Sequence, residues 1–432
     1  MPAPAGPDLA IEPLAGPLDA TVEVPGSKSI TNRALVCAAL ASGSSTLRGA
    51  LLADDTEAMI GCLGALGATV DARWDAGSVE VSGLGGRWAP EAPSIDARMS
   101  GTTARFVLPL LAFAPRAVEL TGHPQLLARP MGSAIEALRQ LDVEVVELGR
   151  SGHLPVRVGG SGGLTGGTIE LAGDVSSQFL SGLLLAAPAM RGGIAIRLST
   201  DLVSRPYVDL TGGVMAAFGA SVEVAEGGRR FTVAGGGYQP ADFSVEPDAS
   251  AATYFFAAAA VLGGRVRVQG LGAGSLQGDL RFVEVLSAMG CEVTVGDGFT
   301  DVRGTGTLRG VEVDLADLSD AAPTLAAVAA FAATPTRATG IGFIRHKESD
   351  RIAAIVAELR RCGVAAEEEP DGFVVRPDPG GPTGARIETY GDHRMAMSFA
   401  VVGLRVPGVV VVDPGCVAKT FPGFFETIDR LR

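Results

Sequence analysis

Ser29-Ile30-Thr31-Asn32-Arg33-Ala34-Leu35-Val36-Cys37-Ala38-Ala39-Leu40-Ala41 carries a short polar lip into a helix-like run of small and apolar residues. The same design returns at Gly101 to Ala114, Ser176 to Ala189, Ala249 to Leu262, Asp320 to Ala333 and Gly391 to Leu404. Successive starts are 72, 75, 73, 71 and 71 residues apart. So even a period reads as one supersecondary unit written six times.

A second segment repeats in step with the first. A helix-like run closes on an apolar residue plus Gly, and a Val-containing strand follows: Leu66-Gly67-Ala68-Thr69-Val70, Phe218-Gly219-Ala220-Ser221-Val222 and Met289-Gly290-Cys291-Glu292-Val293. Looser copies are Leu141-Asp142-Val143-Glu144-Val145 and Cys362-Gly363-Val364. Gly at this point suits a helix that ends in a left-handed residue before turning into a strand. The sixth copy would fall beyond Arg432, after the helix-like run Gly423 to Leu431, and Asp8 to Ile11 is the segment left to supply its strand. The two termini are therefore expected to meet in one module, closing six α/β units on themselves.

A chain of 432 residues is expected to form two domains, and three modules in each is the natural division. The first fourteen residues, MPAPAGPDLAIEPL, lack the basic segment and apolar core of a signal peptide, and no apolar run is long enough for a membrane span. Cys37, Cys62, Cys291, Cys362 and Cys416 are scattered without CxxC spacing, which fits a reducing cytoplasm. The net charge of -13 argues against nucleic acid as a partner. His123, His153, His346 and His393 show no metal-ligand spacing.

Many of the 35 Lys and Arg sit instead on the polar lips. A helix N-terminus presents unpaired N–H groups and partial positive charge, so a lip that adds cations and hydroxyls suits an anion. Pro25-Gly26-Ser27-Lys28-Ser29-Ile30-Thr31-Asn32-Arg33 offers Lys28, Ser29 and, one turn on, Arg33, without the Walker pattern of a nucleotide loop. Ser100-Gly101-Thr102-Thr103-Ala104-Arg105 pairs a Gly open to close approach with an Arg, and Asp174-Val175-Ser176-Ser177-Gln178 supplies polar groups without a cation. For each, the plain alternative is a capped helix with solvated charges. Asp248 reads as such a cap, whereas Asp320 reads equally as a cap or as a general base for a substrate hydroxyl. Tyr390-Gly391-Asp392-His393-Arg394 is the densest lip. In Arg345-His346-Lys347-Glu348-Ser349-Asp350-Arg351, Lys347 and Arg351 stand one turn apart around Glu348, a candidate acid or base or else part of a solvated helix start.

The segments PGSKSITNRAL, SGTTAR, SSQFLSGLLLAAP, HKESDR and GDHRMAM, in this order and spacing, resemble the 3-phosphoshikimate 1-carboxyvinyltransferase (5-enolpyruvylshikimate-3-phosphate synthase) family from about Ile11 to Lys419. The resemblance implies an α/β (α+β) enolpyruvyl transferase-like fold. It has two domains of three βαβαββ-type units, with the active site in the interdomain cleft. One domain would span residues 21–239 and the other 1–20 with 240–432. The implied reaction moves the enolpyruvyl group of phosphoenolpyruvate onto the 5-hydroxyl of shikimate 3-phosphate and releases phosphate, a step towards chorismate and the aromatic amino acids. It needs no metal or organic cofactor, and a cytoplasmic monomer is expected.

By the same resemblance, Lys28 touches both substrates. Ser29, Arg33, Ser176, Ser177, Gln178, Ser204, Tyr207, Asp320 and Lys347 are implied for shikimate 3-phosphate. Gly101, Arg129, Arg351, Arg394 and Lys419 are implied for phosphoenolpyruvate, with Thr102, Arg105, Asp392 and His393 in support. Asp320 resembles the base on the 5-hydroxyl and Glu348 the acid that protonates the methylene carbon, a role Lys28 also fits. The chain departs from the family loop N-A-G-T-x-x-R at Met99 and Ser100, but Gly101 is kept, so inhibition by glyphosate is expected. Three other readings compete. A UDP-N-acetylglucosamine enolpyruvyl transferase would carry Lys-Asn at Lys28-Ser29 and a loop Cys between Cys62 and Cys291; an enolpyruvyl transferase for another cyclohexene acid and a non-catalytic anion-binding protein are the others.

Overall fold

The structure is a computed structural model that describes residues 7–74, 77–90, 92–160 and 162–431. Each repeat contributes one buried helix: α1 Lys28–Leu40, α2 Gly101–Leu110, α3 Ser177–Ala186, α4 Ala249–Leu262, α5 Ala322–Ala329 and α6 His393–Gly403. Nearly every residue of these helices is buried, which is why they read as small and apolar all round rather than amphipathic. Side chains at the lips cap four of the five starts read as caps or hydroxyl lips: Ser27 accepts from Ile30 N–H, Ser100 from Thr103, Ser176 from Gln178 and Asp248 from Ala251. Asp392 does the same for Arg394. The exception is Asp320, which lies in the 3-10 turn Ser319–Ala321 ahead of α5, whose N-cap position falls on Ala321 instead.

Six small sheets accompany the six helices. The fifth shows the pattern: Glu312–Asp314 leads through α5 into Thr336–Thr339, with which it pairs in parallel. The chain then runs along the helix Arg351–Arg361 and returns as Ala365–Glu369 and Gly372–Arg376, the latter antiparallel to Thr336–Thr339. The reversal between that helix and its strand falls on Gly363 at φ +75°, and the equivalent residues Gly67, Gly219, Gly290 and Asp142 also have positive φ. The repeated Gly is thus the left-handed helix terminator expected from the sequence, and Asp142 shows that a short polar side chain tolerates the same conformation.

At two points a strand and its following helix part company. Leu18–Val22, which precedes α1, pairs in parallel with Gly264–Gln269 after α4, while Asp242–Ser244, which precedes α4, pairs with Ser44–Arg48 after α1. The chain accordingly divides into a continuous unit, Gly26–Glu246, and a terminal unit made of the described part of Met1–Pro25 with Pro247–Arg432. These switch points lie somewhat later than the boundaries at 20 and 239 read from the sequence. In the sixth sheet Leu9–Ala10 pairs antiparallel with Val411–Val410, and Arg386–Ile387 pairs in parallel with the same strand. The strand sought at Asp8 to Ile11 is therefore where the period required it.

Within the continuous unit α3 lies directly on α2, because a Cβ on Gly182 would collide with the Arg105 carbonyl oxygen. Within the terminal unit the three core helices are cross-linked by hydroxyls: Thr253 of α4 lies 3.4 Å from Thr324 of α5, which lies 3.2 Å from Ser398 of α6. Buried hydroxyls satisfied by one another hold the helices in register without exposing a polar atom to the core.

Candidate active site

In the continuous unit the starts of α1, α2 and α3 bring together most of the lip residues. Lys28 opens α1 and its Nζ lies 3.3 Å from the buried carboxylate of Asp55, whose backbone carbonyl accepts a hydrogen bond from Thr103 of α2 at 3.2 Å. Arg105, one turn into α2, donates to Gln178 Oε1 at 2.7 Å, and Gln178 Nε2 donates to Thr102 Oγ1 at 3.1 Å. The third lip, which lacks a cation of its own, thus receives one from the second. Arg129 joins the same group, since a Cβ built on Gly101 would fall 2.7 Å from Arg129 Nη1 and 3.2 Å from Arg105 Nη1. Ser176 caps α3 and Ser177 is buried beside it. Around these helix ends four cations, Lys28, Arg33, Arg105 and Arg129, stand with the carboxylate of Asp55.

Arg33 occupies a different environment from the lip surface expected of it. Its guanidinium is buried, with Nε on Thr211 Oγ1 at 2.8 Å, Nη1 on the Ser29 carbonyl at 2.8 Å and Nη2 on the Tyr207 carbonyl at 3.1 Å. Burial pulls it down to about 10, so it still carries its charge at neutral pH. Arg33 consequently ties Ser29 to Tyr207. Ser204, three residues before Tyr207, is buried with φ +53°, a left-handed conformation that is uncommon for a residue other than Gly.

In the terminal unit Arg351 is the hub. It opens the helix Arg351–Arg361, is 1% exposed, and places Nη1 3.0 Å from Asp320 Oδ1, Nη2 2.8 Å from Glu348 Oε2 and Nε 2.8 Å from Asp392 Oδ2. Burial lowers the guanidinium, but Asp392, Glu348 and Asp320 outweigh it and hold Arg351 above its ordinary range. Asp320 also accepts from Arg394 Nη2 at 2.6 Å and lies 3.7 Å from Lys347 Nζ. Asp320 is thus no helix cap: three cations surround it, and the 3-10 turn carries it off the cap position. Lys419, which had no local signal in the sequence, lies 3.8 Å from Glu348 Oε1. The run from Arg345 to Arg351 divides, because Asp350 caps the helix from an exposed position and pairs with Arg345, whereas Glu348 and Arg351 turn inward.

His393 is buried with Nδ1 3.7 Å from Asp392 Oδ1, and Arg394 Nη1 approaches the Tyr254 hydroxyl at 3.5 Å. Asp55, Tyr254 and Ser349, whose Oγ donates to Asp392 at 3.0 Å, are members of these clusters that the sequence did not single out. The carboxylates that open the next helix, at Asp54-Asp55, were the signal available for Asp55. Among the described residues no group of His, Cys, Asp and Glu is arranged to hold a metal ion, and no helix is long and apolar enough to cross a membrane.

Three carboxylates share one buried guanidinium, and two of them, Asp320 and Glu348, also face Lys or other Arg side chains, an arrangement chemically suited to proton transfer beside an anion. Comparison with known proteins gives a consistent picture. A sequence model of EPSP synthase (3-phosphoshikimate 1-carboxyvinyltransferase) matches residues 14–428. A 3-phosphoshikimate 1-carboxyvinyltransferase of Trichormus variabilis is 44% identical over 423 residues, covering 98% of this chain and 99% of that one. One from Nostoc punctiforme is 45% identical over 418 residues, covering 96% and 97%. Among solved structures, EPSP synthase from Acinetobacter baumannii superposes with a TM-score of 0.81 at 28% identity, covering 98% of this chain and 97% of that one. An enolpyruvyl transferase from Streptomyces tendae, at 21% identity and a TM-score of 0.75, shares the fold.

Proposed function

The chain belongs to the EPSP synthase family, the 3-phosphoshikimate 1-carboxyvinyltransferases, and we propose how its residues divide the family's reaction. It is a transferase that moves the enolpyruvyl group of phosphoenolpyruvate to the 5-hydroxyl of shikimate 3-phosphate, giving 5-enolpyruvylshikimate 3-phosphate and phosphate. The observation that carries the division of roles is the placement of Asp320 and Glu348 on different terminal nitrogens of Arg351, each also next to a lysine.

Glu348 delivers a proton to the methylene carbon of phosphoenolpyruvate, which becomes a methyl group and leaves C2 electrophilic. Asp320 takes the proton of the 5-hydroxyl as that oxygen adds to C2. The C2–O bond to phosphate then breaks, the methyl group returns a proton, and the enol ether is formed. Arg394, Arg351 and Lys419 neutralise phosphoenolpyruvate and the departing phosphate, and Gly101, Arg129 and Lys28 are further ligands that the family resemblance implies for it. Lys28, Ser29, Ser176, Ser177, Gln178, Ser204 and Tyr207 hold shikimate 3-phosphate together with Lys347, and Arg33 keeps Ser29 and Tyr207 in place for it. The five free thiols support a cytoplasmic location.

Turnover in heavy water tests the sequence of steps. Protonation at carbon predicts deuterium in the vinyl methylene of the product, lost in Glu348→Gln. A product free of deuterium would contradict it.

A further inference from the structure

Glu358 lies two turns along the helix that Arg351 opens, and it is fully buried. A buried carboxylate is costly unless its oxygens are bonded, so its partners show what it holds. Oε1 accepts from the Tyr390 hydroxyl at 2.7 Å and Oε2 from the Glu388 backbone N–H at 3.0 Å, while Arg361 Nε lies 3.2 Å from Oε1. Two of these partners belong to the segment that leads directly into the lip Gly391-Asp392-His393-Arg394. Tyr390 is a non-glycine residue at φ +57°, and Gly391 follows at φ +65°. Two successive left-handed residues need an outside restraint to keep one conformation.

We propose that Glu358 and Tyr390 form a latch that positions the Asp392–Arg394 lip, and through it the phosphoenolpyruvate-binding cations. This rests on the assignment of Arg394 and Arg351 to phosphoenolpyruvate given above. The same helix grips the lip twice: Arg351 at its first residue bonds Asp392, and Glu358 bonds the two residues flanking Thr389. Fixed at both points, Asp392 both caps α6 and orients Arg351, and Arg394 keeps its 2.6 Å contact with Asp320. Burial raises Glu358 above the ordinary carboxylate range, and burial of the hydroxyl end together with its bond to Glu358 raises Tyr390 to about 12.

The test uses Tyr390→Phe, which removes one hydroxyl at a residue that is 42% exposed, beside Glu358→Ala and Glu358→Gln. Hydrogen exchange of residues 386–394 is read together with KM for each substrate. The latch predicts faster exchange confined to that segment and a KM for phosphoenolpyruvate raised on the order of tenfold, with KM for shikimate 3-phosphate changed far less. Glu358→Gln, which keeps one acceptor, should recover part of the loss. Unchanged exchange in Tyr390→Phe and Glu358→Ala overturns the latch, as do equal changes in both KM values. A parent enzyme inactive on both substrates would instead refute the reading of the site, and the exchange data would then decide on the latch by themselves.

Discussion

Arg351 and Asp392 form a fully buried pair in which the guanidinium meets both carboxylate oxygens, at 2.8 and 3.3 Å. The same guanidinium reaches Asp320 and Glu348, so removing it would take a buried partner from three carboxylates at once. Arg351→Ala is expected to lower stability by about 3–5 kcal/mol, the range for breaking a buried ion pair. Arg351→Lys should recover little, because an ammonium cannot reproduce three directed contacts. Urea unfolding of purified variants measures this, and a midpoint equal to the parent's would remove Arg351 from its central place.

Gly101→Ala places a methyl group against Arg129 and Arg105. Both are side-chain ends that can yield, so the chain should fold while the two guanidiniums move. Such displacement is expected to raise KM for phosphoenolpyruvate by roughly ten- to a hundredfold and to weaken glyphosate inhibition at least as much. KM for shikimate 3-phosphate should hardly change. Steady-state kinetics with and without glyphosate checks all three.

Asp320→Asn and Glu348→Gln keep the shape of the cluster and remove its proton transfer. Each should lower kcat by about 10²–10⁴, with binding of shikimate 3-phosphate retained in calorimetry. Normal turnover in Asp320→Asn would reassign the base.

All five thiols are held above their ordinary range by burial, Cys37, Cys62 and Cys416 to about 12 and Cys291 and Cys362 to about 11. Raised values shrink the thiolate fraction at neutral pH, and that fraction grows only as pH rises towards 11. Iodoacetamide at pH 7 should therefore leave activity intact, with alkylation appearing only in alkaline solution. Rapid inactivation at pH 7 would point to a reactive thiol and revive the reading of a UDP-N-acetylglucosamine enolpyruvyl transferase.

The repeat was legible because it is local. Small residues mark buried helices, and a Gly such as Gly363 marks the left-handed turn behind each second helix. What escaped reading depends on contacts distant in sequence. Nothing local distinguishes a strand that stays with its helix from Leu18–Val22, which joins the sheet of α4, and the domain boundaries were accordingly placed early. Lys28 and Arg394 announced themselves as cations on lips, but their partners did not. Asp55 and Glu358 were not singled out, because what distinguishes them is burial against residues distant in sequence. Arg33, implied by the resemblance as a ligand of shikimate 3-phosphate, is turned inward by acceptors at Tyr207 and Thr211, far along the chain.

Phosphorus NMR of the purified protein with shikimate 3-phosphate and phosphoenolpyruvate reads the transfer itself. Free phosphate and a new phosphorylated enol ether should appear together in equal amounts, and Asp320→Asn should suppress both. Phosphate released without the enol ether, or neither signal despite bound shikimate 3-phosphate, would contradict the account.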